Sequence, residues 1–103
     1  VSNTTVSEPE PVDDISPTVR ITTPKADATV TKNVGVEAVG SDNIAVTKMV
    51  LYLDGIEQTV QDKDWLKWRW NTRKDSPGEH VISVEAWDAA GNVGSDSIVV
   101  TVK

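Results

Sequence analysis

Residues His80 to Val93 read His-Val-Ile-Ser-Val-Glu-Ala-Trp-Asp-Ala-Ala-Gly-Asn-Val. Ile82, Val84 and Ala86 fall on alternate positions, so an extended chain turns them to one face and Ser83, Glu85 and Trp87 to the other. Asp88-Ala89-Ala90-Gly91-Asn92 follows, a cluster of residues that favour tight turns. Ser97 to Val102 then alternates again, with Ile98, Val100 and Val102 in phase. Strand, turn and strand, with β-branched residues throughout, predict an all-β chain.

Working back toward the N-terminus, the same pattern repeats. Val19 and Ile21 alternate with polar residues until Pro24, and Ala28 to Thr31 offers a short continuation. Val34, Val36 and Ala38 form one face of a further strand, and Ser41-Asp42-Asn43 marks a turn. In Val46 to Asp54, Met49, Leu51 and Leu53 face one way. Asp54-Gly55 is a hairpin signal into Ile56 to Val60. In Trp65 to Asn71, alternation assigns Leu66, Trp68 and Trp70 to the core and sends Trp65, Lys67 and Arg69 outward. Ser76-Pro77-Gly78 is another turn. No window carries a helical period. Seven to eight short antiparallel strands with regular turn signals predict a two-sheet sandwich.

The chain has 103 residues, enough for one such core and not two. Residues 1–16 are rich in Ser, Thr, Pro and Glu and read as a flexible linker to a preceding domain, leaving residues 17–103 as the folded unit. Net charge is −6, and Glu8, Glu10, Asp13 and Asp14 supply four of those charges, so the rest of the chain carries −2. No basic footprint for nucleic acid dominates. No apolar run is long enough for membrane insertion as a helix. Cysteine is absent, which excludes disulfides, thiolate zinc sites and a cysteine nucleophile. No targeting signal lies in the sequence.

Thr18-Val19-Arg20-Ile21-Thr22-Thr23-Pro24, Ser41-Asp42-Asn43-Ile44-Ala45-Val46 and Val50-Leu51-Tyr52-Leu53-Asp54-Gly55 occur in order, followed by Trp70-Asn71-Thr72, Pro77-Gly78-Glu79-His80 and Asp88-Ala89-Ala90-Gly91-Asn92. Together these motifs resemble the bacterial Ig-like domain family over about residues 17–103. The resemblance implies an immunoglobulin-like β-sandwich from a secreted or cell-surface bacterial protein. Related modules act as spacers beside catalytic and carbohydrate-binding domains, or as stalks in adhesins. It implies a non-catalytic monomer whose partners are adjacent domains of the parent protein. The run Trp65-Leu66-Lys67-Trp68-Arg69-Trp70 is heavier in Trp than the family pattern leads one to expect.

Two groups of residues invite a functional reading. In an Ig topology the start of the first strand, the loop holding Asp42-Asn43 and the loop holding Asp88 and Asn92 share one pole, with Asp13-Asp14 beside them. Calcium takes about six to eight hard oxygens, so Asp13, Asp14, Asp42, Asn43, Asp88 and Asn92 are candidate ligands of a stiffening ion. The competing reading is turn chemistry, in which the same side chains bond nearby backbone N–H groups. The second group is aromatic. Trp87 and Tyr52, with Val50 and Val99, are expected on one outer face, and Trp65 on the other. Outward Trp and Tyr suit polysaccharide or another cell-surface ligand. A cation–π pair of Lys48 with Trp87 would need no ligand. His80 is read as a structural imidazole. Ser83 alternates away from it, and no nucleophile elbow, metal-hydrolase His pair or phosphate loop is present.

Overall fold

The computed structural model describes residues 15–103. Among the described residues, eight strands occur in chain order: β1 (Thr18–Thr23), β2 (Thr29–Val30), β3 (Asn33–Ser41), β4 (Val46–Leu53), β5 (Ile56–Gln61), β6 (Trp65–Asn71), β7 (Gly78–Asp88) and β8 (Val93–Val102). A single 3-10 turn, Thr72–Lys74, joins β6 to β7. One sheet has the order β1-β3-β6 and the other β2-β8-β7-β4-β5. The all-β sandwich expected from the alternation is therefore present. One pairing departs from expectation: β2 lies parallel to β8, with Thr29 opposite Thr101 and Val30 opposite Val102. The chain switches sheets between β1 and β2, so a segment running alongside the start of β8 keeps its direction as it joins the larger sheet.

The core is built from the inward alternate positions of both sheets. Val36, Ala38, Leu66 and Trp70 of the smaller sheet meet Met49, Leu51, Ile82, Val84, Ala86 and Val100 of the larger, all essentially buried. Trp68 departs from the sequence reading: it points inward and stacks on Trp70 with ring centroids 6.3 Å apart, but it is only half-buried. Both sheets end near it, since β5 and β6 are their edge strands, and the core is open there. Val50 departs in the other direction. It lies on the outer face by alternation, yet is only 4% exposed.

One glycine marks a close approach. A Cβ on Gly94 would stand 1.8 Å from the Pro17 carbonyl oxygen, so the entering chain lies directly against β8 there. Ile21 N–H then donates to the Asp96 carboxylate at 2.9 Å, tying β1 to β8 across the sheet gap.

Candidate functional site

The two poles of the sandwich differ in chemistry. At the entry pole, Thr18 pairs with Ser41 and Val46 pairs with Asp88, so the start of β1, the β3–β4 loop and the β7–β8 loop do share one end. The carboxylates there are already engaged. Asp88 is buried; its Oδ1 accepts from Ala90 N at 3.0 Å and Asn92 N at 2.8 Å, and its Oδ2 accepts from Asn92 Nδ2 at 2.8 Å. Gly91 takes a φ of +92° that closes this loop, which only glycine adopts without strain. Asp42 Oδ2 accepts from Ile44 N at 3.2 Å and Ala45 N at 3.3 Å. With its NH2 turned toward Asp42, Asn43 donates to both carboxylate oxygens at 3.2 Å. The side-chain amides of Asn43 and Asn92 thus present N–H groups, not oxygens, to these carboxylates. Among the described residues no group of three or more carboxylate, His or Cys side chains is placed to hold a metal ion. Asp42 and Asp88 each accept the hydrogen bonds of their own turn, and Asp13 and Asp14 lie outside the described residues.

At the exit pole stands a polar cluster that the sequence reading saw only in part. The Asp54-Gly55 hairpin has both residues at positive φ, +52° and +82°, as its two-residue turn requires. That conformation aims the Asp54 carboxylate at β7, where Oδ1 accepts from Val81 N at 2.9 Å and Oδ2 lies 2.6 Å from His80 Nδ1. The other ring nitrogen, Nε2, lies 2.7 Å from the Ser76 carbonyl. Both nitrogens face acceptors, so the geometry selects the doubly protonated imidazolium. The Asp54 hydrogen bond and then the Ser76 carbonyl raise the His80 pKa, against burial, which lowers it. Burial pushes Asp54 up, but Val81 N–H and His80 together hold it below its usual value. His80 is 7% exposed and meets the edge of the Trp70 ring at 5.7 Å, while Trp70 Nε1 donates to Asp75 at 2.8 Å. The groups of the cluster satisfy one another, and the imidazole is almost fully covered.

The aromatic candidates separate by environment. Tyr52 donates its hydroxyl to Glu85 at 2.9 Å, which raises its pKa and occupies its polar end. Trp87 is half-buried with Lys48 Nζ 4.9 Å from its ring centroid, the cation–π pair expected from the sequence, and its Nε1 is enclosed without an acceptor. Trp65 is different. It is 45% exposed, with Lys63 Nζ 4.1 Å from its ring centroid. Beside it, on the outer face of the three-stranded sheet, a groove of about 460 Å³ is lined by Asn33, Gly35, Glu37, Lys67, Trp68 and Arg69. None of the described residues forms a helix long and apolar enough to cross a membrane.

A family model described as bacterial Ig domain matches residues 17–84. The chain belongs to the bacterial Ig domain family. Two solved structures share the fold. The fibronectin(III)-like modules of Clostridium thermocellum CbhA superpose with a TM-score of 0.71 at 24% identity, over 95% of this chain and 50% of that one. The endo-beta-1,4-mannanase of Thermotoga petrophila gives a TM-score of 0.70 at 22% identity, over 88% of this chain and 20% of that one. The Ig domain thus spans half or less of each neighbour's length. No curated protein matches the sequence.

Proposed function

We propose that this Ig domain is a non-catalytic spacer in a larger secreted or cell-surface bacterial protein, setting the distance and direction between adjacent domains. The observation that carries this reading is that the described fold begins and ends at opposite poles. The chain enters at Pro17, against Gly94 at the start of β8, and leaves at Lys103, whose N–H donates to Val30 O at the other pole. Ten residues of β8 separate the poles, about 30 Å at ~3.4 Å per residue. Membership of the bacterial Ig family and likeness to a portion of two longer chains support an accessory role. The test places the domain between two reporter proteins and measures their separation by small-angle scattering. A narrow distance distribution, compared with a Gly/Ser chain of equal length, is expected. A broad distribution, or turnover by the isolated domain on polysaccharides, would remove the proposal.

A second reading has its own observation. Trp65 is the most exposed aromatic of the three candidates, and sugar rings stack on such faces. On that reading the domain also holds polysaccharide, with Trp65 as the contact and Trp87 and Tyr52 as parts of a packed outer face.

A further inference from the structure

On the outer face of the three-stranded sheet, charge, aromatic exposure and an open groove coincide. Strand register sets three rows across it. Arg20, Val39 and Trp65 are opposite one another in the first row, Glu37 faces Lys67 in the second, and Gly35 faces Arg69 in the third. Alternation turns all of these side chains outward, because Ile21, Val36, Ala38, Leu66 and Trp70 occupy the core. Rows are two residues apart, so the three span about 14 Å.

Gly35 requires an explanation that local structure does not supply. Its backbone lies in an ordinary strand and not in the left-handed region, and an added Cβ would meet nothing within 4 Å. Glycine in a strand interior costs stability, and neither conformation nor crowding offsets that here. What the missing side chain does is leave the floor of the groove open between Glu37, Lys67 and Arg69. The stretch Asn33–Val36 also runs beyond the end of β1, whose last pairing is Thr23 with Glu37, so the groove is open on that side.

The charge on this face opposes that of the chain. The protein carries −6, yet Arg20, Lys67 and Arg69 project here with Lys63 over Trp65, and Glu37 is the one carboxylate at the outward positions of these strands. Among the described residues none of Arg20, Lys67 and Arg69 makes an ion pair within 4 Å. Unpaired cations beside a groove and an exposed indole fit a chain of sugar rings that carries its own carboxylates. The rings lie on Trp65 and the planar guanidinium groups engage carboxylate oxygens two at a time.

We infer that this face binds a uronate-bearing polysaccharide, with Trp65 as the stacking surface, Arg20, Lys67 and Arg69 as carboxylate partners, and Gly35 as the open floor. The inference rests on the second reading above and names its ligand class.

The probe is polygalacturonate, tested with the domain by affinity electrophoresis at low and moderate salt, with mannan, cellulose and dextran sulfate in parallel. Polygalacturonate is expected to retard the protein, and Lys67→Ser with Arg69→Ser to weaken binding about tenfold. Gly35→Phe is expected to weaken it as much without any change in charge, and its thermal midpoint checks that the fold survives. Lys48→Ser with Lys103→Ser removes the same charge elsewhere and should keep the wild-type affinity. No retardation by polygalacturonate, or equal loss in the control pair, overturns the inference. Retention by dextran sulfate alone, which carries sulfates and no uronate, assigns the face to sulfated glycans and overturns it too. Retention by mannan or cellulose that ignores Lys67 and Arg69 leaves the second reading standing and overturns this one. None of these results bears on the spacer proposal.

Discussion

His80 carries the clearest pH dependence in the molecule. Its pKa is raised above the ordinary 6.5 by Asp54 and the Ser76 carbonyl, so its stabilising contribution is complete below 6.5 and is lost as pH rises through the higher folded value. Asp54 is held below 3.8, so its contribution is complete above 3.8 and is lost as pH falls through the lower folded value. The pair therefore acts fully between 3.8 and 6.5. Denaturant midpoints of wild type and His80→Gln are expected to differ most near about pH 6 and to converge toward about pH 9; a constant gap would mean that the imidazole is neutral in the fold. Trp70 and Trp68 make a second contrast. Trp70→Ala should cost about 3–5 kcal/mol, and Trp68→Ala clearly less, because its ring is already half in water. Alternation showed that both rings face inward. It could not show that the sheets end beside Trp68, since an edge is a property of strand order and not of any local pattern.

The strands themselves were legible wherever one face is buried and the other wet, as in β3, β6 and β7, because period-2 burial writes itself directly into the sequence. Two features lay outside that signal. The parallel pairing of β2 with β8 depends on contacts between residues far apart in the chain. Val50 reads as outward, yet β5 and β7 flank β4 on both sides and it is enclosed. The turns were legible as turns. That Asp88 spends its oxygens on Ala90 and Asn92, and Asp42 on Ile44 and Ala45, follows from loop geometry that composition alone leaves open. Gly94 belongs to the same class: one glycine among several in the sequence, and in the fold the point where β8 touches the Pro17 carbonyl. Gly94→Ala should destabilise by about 1–3 kcal/mol, the range of overpacking, measurable as a lower midpoint in urea with an unchanged slope. Gly35→Ala, where the added methyl meets open space, should not.

At the scale of the whole molecule, the chain enters at one end and leaves at the other, and the turns at the entry end satisfy their own carboxylates. Thermal midpoints in excess EDTA and in millimolar calcium, at equal ionic strength, are expected to coincide; a rise with calcium that vanishes in Asp88→Asn would establish a metal site there. The first part of the fold and the last strand also run side by side in the same direction. Pro17 lies against Gly94, Ile21 N–H reaches Asp96, Asp27 N–H donates to Val99 O at 2.8 Å, Thr101 N–H to Ala28 O at 2.9 Å and Lys103 N–H to Val30 O at 2.9 Å. When the two termini are pulled apart, these bonds lie across the line of force and are loaded in shear together, instead of being unzipped one at a time. Stretched in a single-molecule instrument, the domain should rupture in one step, and Asp96→Ala should lower the rupture force by removing one of the bonds that share the load.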